Sequence, residues 1–406
     1  MTALPARDIE GQLARLDARQ VTYATQFVEL LLAAAQASGA SDLHLQPTPA
    51  GLEVRWRIDG VLQAVGTFPR GEPTDVVARL KVLAGLLTYR ADVPQEGRLQ
   101  PTTNLPADVE MRVSTFPTLY GERAVVRLFA AQRQYLRLAD LGLPAELETD
   151  LRASLTQTAG ALLVTGPAGS GKTTTVYACL REIVAATQGQ RSIVSLEDPI
   201  EVAVPGVAQS QLQPAAGFDW GAGLRSILRQ DPEVILVGEM RDRETVEAVF
   251  QASLTGHLVL STFHAGDAAE GLSRLSDMGI EPYLLRSGLR SLINQRLIRR
   301  LCECAVPGRE EATRLGLDVA HWKVAQGCDR CRRVGYLGRL VLAEWLPPLE
   351  GELGAAALAR RDSRELSRLA RAAGMNSLFD RALAMVEAGL TDPAEVRRVL
   401  GLRRSE

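Results

Sequence analysis

Residues 165–175 read TGPAGSGKTTT, and this stretch constrains the fold more than any other part of the chain. The apolar run ALLVT (161–165) precedes it, and the helix-forming run TTTVYACLREIVAA (173–186) follows it. A glycine-rich turn of the pattern G-x-x-x-x-G-K-[ST] between a strand and a helix lets backbone N–H groups and the helix N-terminus face a phosphate. The stretch therefore predicts an α/β domain with a phosphate-binding P-loop.

The P-loop residues have separate expected roles at a bound nucleotide. Lys172 supplies a point charge for the β- and γ-phosphates, and the Thr173 hydroxyl is placed to ligate Mg²⁺. A chance match in a glycine-rich turn is the alternative, which the strand–loop–helix context disfavours. Since the chain has no guanine-reading Asn-Lys-x-Asp stretch, ATP is favoured over GTP. The expected ATP-binding residues here are Gly166, Pro167, Ala168, Gly169, Ser170, Gly171, Lys172, Thr173 and Thr174.

Two acidic segments follow apolar runs that we predict to be strands of the same parallel sheet. One reads SLEDPIE and ends at Glu201, and the other reads VILVGE and ends at Glu239. Hydrolysis of a phosphoanhydride needs a metal that spreads charge and a carboxylate that orients water. Two carboxylates at strand ends beside a P-loop supply both, although each segment alone could be a solvated loop or a helix cap.

Two of the four histidines flank a third apolar run, TGHLVLSTFHAGD. His257 stands at the start of this predicted strand, and His264 stands just past its end. His264 is therefore placed to sense the γ-phosphate. We interpret His44 and His321 as ordinary core or surface residues.

The chain length of 406 residues indicates two or three domains. Helical residues 22–37, a hairpin turn at Asp59-Gly60 and two strands over 109–129 predict a small α+β domain before the P-loop domain. A net charge of −2 gives no basic field for nucleic acid. Neither a secretory signal nor an apolar run of about 18 residues is present, so a cytoplasmic protein is expected.

Four of the five cysteines form two tight pairs. Cys302-x-Cys304 and Cys328-x-x-Cys331 predict a tetrahedral, structural Zn²⁺ site in a cytosolic protein. Free or partly ligating thiols are the alternative, because the first pair has only one intervening residue. Cys179 is expected to be a buried apolar residue.

These motifs together resemble the secretion-ATPase superfamily, and more closely the ATPases that assemble type II secretion pseudopili and type IV pili. The resemblance covers about residues 22–402. It rests on SDLHLQP, WRIDG, PQEGR, MRVSTFPTLYGERAVVRL, VTGPAGSGKTTT, LEDPIE, LRSILRQDPEVILVGEMRD, GHLVLSTFHAGDAAEGLSRLSDMGIEP and NQRLIRRLC.

The resemblance implies a RecA-like motor domain after a PAS-like domain, built as a homo-hexamer that binds ATP between protomers. Such a motor lies at the cytoplasmic face of the inner membrane, where it drives a platform protein without binding nucleic acid. The implied domains are an N-terminal extension (1–21), the PAS-like α+β domain (22–130), a linker (131–144), the ATPase domain (145–300), a cysteine-rich zinc-binding segment (301–346) and C-terminal helices (347–406).

Residue roles also follow from the resemblance. Glu201 matches a catalytic glutamate, and Glu239 matches a Walker B glutamate that acts on Mg²⁺, directly or through water. His257 and His264 match a histidine box. Arg98 and Arg112 match N-domain arginines that reach the nucleotide, with surface ion pairs as the alternative. Arg225 and Arg229, four apart on a predicted helix, could join a contact between protomers.

The sequence departs from the family pattern at three places. Asp92 stands where a basic residue is usual, the first cysteine pair is one residue short, and only about twenty residues precede the first helix. A regulatory scaffold that binds nucleotide without significant hydrolysis is the alternative function, which the presence of Lys172, Glu201 and Glu239 disfavours. A conjugation-type ATPase is less favoured, since that type lacks the cysteine segment. A P-loop kinase is also less favoured, since the sequence shows no acceptor site or lid segment.

Overall fold

The computed structural model describes residues 6–72, 75–100, 110–129 and 136–401. Parts of the expected N-terminal extension (1–5) and of the expected linker (131–135) lie outside the described residues. The chain divides into two compact units. One unit comprises Met1–Gln132 and Gly327–Leu337, and the other comprises Arg133–Gln326 and Gly338–Glu406.

The first unit joins helices to an antiparallel sheet. Its strands lie in the order β3-β2-β1-β6-β5-β4. The elements are α1 (Ala6–Ala14), α2 (Tyr23–Ala37), β1 (Asp42–Thr48), β2 (Gly51–Ile58), β3 (Val61–Phe68), α3 (Val76–Leu83), β4 (Gln95–Arg98), β5 (Glu110–Thr118) and β6 (Gly121–Phe129).

The predicted helix at 22–37 and the predicted hairpin are both present. Tyr23, Phe27 and Leu31 of α2 are buried against the sheet core, as the spacing on one helical face requires. Asp59 and Gly60 adopt φ angles of 48° and 81°, the left-handed values that a tight hairpin turn needs.

From residue 136 the chain alternates strands with helices. A 3₁₀ turn (Leu138–Leu141) comes first, and a second one (Pro214–Ala216) lies between β9 and α6. The elements are α4 (Ala145–Leu155), β7 (Gly160–Thr165), α5 (Lys172–Ala186), β8 (Ile193–Glu197), β9 (Ala208–Gln211), α6 (Trp220–Ile227), β10 (Val234–Val237), α7 (Arg243–Leu254), β11 (Leu258–Phe263), α8 (Ala268–Asp277), α9 (Pro282–Gly288) and β12 (Leu289–Leu301).

The cysteine-rich segment and the C-terminal helices follow β12. Their elements are β13 (Val306–Pro307), α10 (Glu311–Arg314), β14 (Lys323–Val324), β15 (Tyr336–Trp345), α11 (Gly351–Leu358), α12 (Ser363–Ala372), α13 (Leu378–Glu387) and α14 (Pro393–Leu400). None of the helices in the described ranges is long and apolar enough to cross a membrane.

The sheet around the P-loop has the order β15-β12-β7-β11-β10-β8-β9. The four predicted strands β7, β8, β10 and β11 are present, and each pairs with its neighbour in parallel. Thr165 lies opposite Phe263, and Val237 lies opposite Ser261 and Leu196. The loops after these four strands therefore leave the sheet at one edge, where ligands bind in such sheets.

Strands β12 and β15 were not among the predicted strands, and β12 buries the polar residues Asn294 and Gln295 completely. Two expectations about secondary structure are wrong. Helix α1 precedes the helix that was expected to be the first, after about twenty residues. Helix α6 ends at Ile227, so Arg229 lies in the following turn and does not share a helix with Arg225. Helix α14 begins after Asp392, whose side chain caps the helix by accepting a hydrogen bond from the Glu395 N–H.

Candidate nucleotide site

The P-loop forms the tight turn between β7 and α5. Gly166 has a φ of 143°, and a Cβ there would lie 2.4 Å from the carbonyl oxygen of Gln295, so no other residue fits. Lys172 is buried, and its Nζ donates to the carbonyl oxygens of Gly166, at 2.9 Å, and Pro167, at 3.0 Å. Burial lowers the Lys172 pKa, and the positive charge of Arg296 adds to this, whereas Glu239 and Glu201 oppose it.

The loop fits a phosphate group on the evidence of its own atoms. Among the described residues, the buried Ser170 Oγ has no hydrogen-bond partner. The 15-residue helix α5 begins at Lys172, so its N-terminal N–H groups and its dipole point at the loop. Pro167, Ala168, Gly169 and Gly171 complete the turn, and Thr174 lies in the first turn of α5.

Glu201 lies beside the P-loop helix. The Thr173 hydroxyl donates to Glu201 Oε1 at 3.3 Å. The loop after β8 therefore brings the carboxylate predicted to be catalytic to the hydroxyl predicted to ligate Mg²⁺. A hard cation such as Mg²⁺ prefers oxygen ligands, so the Thr173 hydroxyl, with a carboxylate beside it, fits an Mg²⁺ site.

Glu239 and His264 are in contact with each other beside the P-loop. His264 Nε2 lies 2.9 Å from Glu239 Oε1, and His264 Nδ1 lies 3.0 Å from the carbonyl oxygen of Gly166. Arg241 Nε donates to Glu239 Oε2 at 2.6 Å. The loops after β10 and β11 are thus joined to the P-loop through one histidine.

Gly238 lets the two acidic loops approach each other. A Cβ at Gly238 would lie 3.3 Å from the Glu197 Cα, because β8 and β10 are neighbours. The two acidic segments predicted from the sequence are therefore neighbours at one edge of the sheet.

Strand β12 supplies contacts that the sequence analysis missed. Asn294 Nδ2 donates to Thr165 Oγ1 at 2.8 Å and to the Ala265 carbonyl at 3.1 Å. Gln295 Nε2 donates to the Ser170 carbonyl at 2.7 Å. In the sequence analysis NQRLIRRLC contributed only to the family resemblance, and the available signal was the polar triplet Asn294-Gln295-Arg296 between the apolar pairs LI and LI.

The third residue of this triplet, Arg296, holds the histidine loop. Its NH2 donates to the Gly266 carbonyl at 2.5 Å. Burial lowers the Arg296 pKa, while the negative charges of Glu344, Asp267 and Glu270 act in the opposite direction.

His257 is not brought to this site within the chain. It lies before the amino end of β11, where its Nδ1 is 3.0 Å from the Ala252 carbonyl and its own carbonyl accepts from Gly160 N–H at 3.1 Å. The P-loop follows the carboxyl end of β7, and β11 is parallel to β7, so His257 lies at the opposite end of these strands. Its contact with a nucleotide stays a prediction.

The predicted arginines of the first unit lie on its sheet. Arg98 of β4 and Arg112 of β5 are directly opposite each other, and Arg112 is opposite Arg127 of β6. Their contact with a nucleotide stays a prediction. Asp92 lies 3.9 Å from Arg90, and Arg225 is exposed and lies 3.8 Å from Glu244.

The four paired cysteines form one cluster. The Sγ atoms of Cys302, Cys304, Cys328 and Cys331 all lie within 4.8 Å of one another. Tetrahedral Zn²⁺ with Zn–S bonds of about 2.3 Å needs sulfurs about 3.8 Å apart, which this cluster fits. Although only one residue separates Cys302 from Cys304, both of their sulfurs lie in the cluster.

Backbone donors support the cluster. Cys331 Sγ accepts from the N–H groups of Cys328, at 3.1 Å, and Gly335, at 3.2 Å, and such bonds favour the thiolate that metal binding requires. Cys179 is fully buried on α5 as expected, and burial raises its pKa to about 12.

Comparison with known proteins gives the family and the fold. Residues 17–398 match the family described as "Type II/IV secretion system protein". The chain is 39% identical over 394 residues to type II secretion system protein HxcR of Pseudomonas aeruginosa, covering 97% of this chain and 80% of that protein. It is 37% identical over 382 residues to the type IV pilus assembly ATPase PilB of Thermus thermophilus, covering 92% of this chain and 42% of that protein.

Solved structures share the architecture at low sequence identity. The ATPase DotB of Yersinia pseudotuberculosis matches with a TM-score of 0.69 and 21% identity, covering 95% of each chain. The pilus retraction motor PilT with bound ADP matches with a TM-score of 0.59 and 22% identity, covering 91% of this chain and 96% of that one. The predicted fold, a RecA-like P-loop domain after a small PAS-like α+β domain, is confirmed.

Proposed function

The chain belongs to the Type II/IV secretion system protein family, and on that premise we propose that it hydrolyses ATP with Mg²⁺ to power assembly of a secretion pseudopilus or a type IV pilus. One observation carries the proposal. Functional side chains from the loops after β7, β8, β10 and β11 meet around one P-loop.

Each side chain has a role that its position supports. Lys172 binds the β- and γ-phosphates, and Thr173 with Glu239 holds the metal, Glu239 directly or through water. Bound Mg²⁺ would spread the charge of the transferring phosphoryl group. Glu201, beside Thr173, orients the attacking water and accepts its proton. His264 lies between Glu239 and the P-loop backbone, where it senses the γ-phosphate.

The wider machine is part of the proposal. The motor is a homo-hexamer with ATP between protomers, where Arg98 and Arg112 add positive charge to the nucleotide. It acts at the cytoplasmic face of the inner membrane on a platform protein, and the cysteine cluster holds one structural Zn²⁺. The family resemblance and the relatives in both pathways support these parts.

A nucleotide-binding scaffold without significant hydrolysis is the competing function, and kinetics separates the two. Phosphate release and ATP binding are measured for the wild type, Glu201→Gln and Glu239→Gln, with the exposed Glu352→Gln of α11 as control. We expect each site variant to lose about 100-fold in kcat, because a positioned carboxylate contributes about that much. Binding should persist in Glu201→Gln. Equal phosphate release in all four proteins would support the scaffold.

A further inference from the structure

Tyr177, on the P-loop helix α5, is a residue to which the proposed function gives no role. Its side chain is buried, and its hydroxyl lies between the Glu197 carboxylate at the end of β8 and the Glu201 N–H in the following loop. The hydroxyl donates to Glu197 Oε2, and it accepts the backbone N–H of Glu201 at 3.2 Å. One phenol therefore links the P-loop helix to the residue proposed as the catalytic carboxylate.

Glu197 is a fixed anchor for this phenol. It is the last residue of β8 and only 3% exposed. Besides Tyr177, its carboxylate accepts from Ser195 Oγ at 2.5 Å and from Gln209 Nε2 at 3.0 Å. A buried carboxylate with several donors is held in one position, and hydrogen bonds to a charged acceptor are stronger than neutral ones.

Three backbone N–H groups of the loop carrying Glu201 bind side chains. Val204 N–H donates to Gln209 Oε1 at 2.6 Å, and Ile200 N–H donates to Gln211 Oε1 at 3.3 Å. Both glutamines belong to β9, at the edge of the sheet. The third N–H is that of Glu201, and its acceptor belongs to the P-loop helix.

The chemistry of the hydroxyl suits a fixed link. Burial raises the Tyr177 pKa, and the hydrogen bond and negative charge of Glu197 raise it further. The phenol therefore stays protonated at neutral pH. It can donate to Glu197 and accept from Glu201 at the same time.

We propose that Tyr177 is a positioning residue that sets the Glu201 carboxylate relative to Thr173 through the hydrogen bond from the Glu201 backbone. The inference rests on the proposed function, since it assumes that Glu201 acts in hydrolysis. A phenylalanine at this position keeps the ring and its packing but removes both hydrogen bonds. The backbone of the loop would then lose its hydrogen bond to α5, so that only the Thr173 contact with the Glu201 side chain still joins them, while Lys172 and the P-loop stay in place.

The test compares Tyr177→Phe with Tyr23→Phe. Tyr23 is a matched control, because it is also buried and its hydroxyl donates one hydrogen bond, to the Pro69 carbonyl at 2.7 Å, in the first unit. We expect Tyr177→Phe to lower kcat about tenfold, equivalent to about 1.4 kcal/mol of transition-state stabilisation, with KM for ATP within about twofold. Backbone amides at 200–204 should exchange hydrogen faster in Tyr177→Phe only.

A second comparison asks whether Tyr177 acts through Glu201. Residues that act as a unit give non-additive losses, so Tyr177→Phe should have little further effect on the residual rate of Glu201→Gln. Unchanged kcat in Tyr177→Phe, or a loss equal to that of Tyr23→Phe, overturns the inference. Unchanged exchange at 200–204 also overturns it, even if the residual rate is too low to measure.

Failure of the proposed function has a different result. A wild-type protein that releases no phosphate contradicts the proposed function, and the catalytic role of Tyr177 falls with it. An active wild type in which Glu201→Gln retains full activity contradicts the role of Glu201. An active wild type sensitive to Glu201→Gln but not to Tyr177→Phe contradicts the inference about Tyr177 alone.

Discussion

His264 connects the Glu239 carboxylate to the backbone of the P-loop. Its two ring nitrogens lie 2.9 Å from Glu239 Oε1 and 3.0 Å from the Gly166 carbonyl, so a change at either group reaches the other through one rigid ring. Its position just past β11 was predicted from the sequence, and we propose that a bound γ-phosphate alters both contacts.

The His264 contacts predict a kinetic effect. His264→Ala should lower kcat for ATP hydrolysis about 100-fold, because a preorganised polar group near the transferring phosphoryl group is worth about that much. The exposed His321→Ala should match the wild type in the same phosphate-release assay. Equal activity of the two variants would remove His264 from the site.

Glu395 is a residue whose effect is on stability. Its carboxylate is fully buried, with Arg299 NH2 at 2.7 Å and Arg398 NH2 at 2.6 Å. Burial alone would raise its pKa, but the hydrogen bonds from Arg398 and Arg299 prevail and lower the pKa below the ordinary 4.5. A lowered pKa means that the carboxylate stabilises the fold above pH 4.5, and this contribution is lost as the pH falls further.

Glu395→Gln should therefore lower the free energy of unfolding by about 3 kcal/mol at pH 7, because it removes the buried negative charge that Arg299 and Arg398 both contact. The difference from the wild type should shrink as the pH falls below 4.5. Denaturant titration at several pH values measures both, with Glu365→Gln, a half-exposed partner of Arg368, as control. A difference that does not change with pH would contradict the assigned pKa direction.

At the scale of elements, the cysteine cluster makes a separate prediction. The purified chain should contain one Zn²⁺, and Cys304→Ser should lose it and melt at a lower temperature, because structural zinc contributes to folding. Elemental analysis and thermal unfolding check this. Cys179→Ser is the control for zinc content, since Cys179 lies outside the cluster. Full zinc content in Cys304→Ser would show that this sulfur is not a ligand.

The sequence predicted those elements whose pattern is local. Strands β7, β8, β10 and β11 were found because parallel strands buried on both faces read as continuous apolar runs. Strand β12 was not found, because its 13 residues include Asn294 and Gln295, whose burial depends on partners in the P-loop. Helix α6 was drawn too long, since helix ends are weakly specified by sequence.

Some residues of the candidate site could likewise be predicted from the sequence, and others could not. Lys172, Glu201, Glu239 and His264 follow strands in recognisable motifs, so they could be named before their geometry was known. Tyr177 could not, because its role depends on Glu197 at the end of β8 and on Glu201 in the following loop, 20 or more positions along the chain. His257 lies at the start of β11, as predicted, and its contact with a nucleotide stays a prediction.

At the scale of the whole molecule, the P-loop unit holds the proposed chemistry, and the family gives its context. The chain spans 80% of the Pseudomonas relative and 42% of the Thermus relative, so what those longer proteins assemble with enters only as a proposal for this chain. The proposals of a hexameric motor and of a platform protein that it drives both depend on the claim that the chain hydrolyses ATP.

The most direct test is phosphate release from ATP with Mg²⁺ by the purified full chain, measured beside Lys172→Ala. The wild type should turn over repeatedly, and Lys172→Ala should lose at least about 100-fold, because it removes the charge that holds the β- and γ-phosphates. Circular dichroism should show that the variant is folded. A folded wild type that releases no phosphate, or that does so as well without Lys172, would contradict the account.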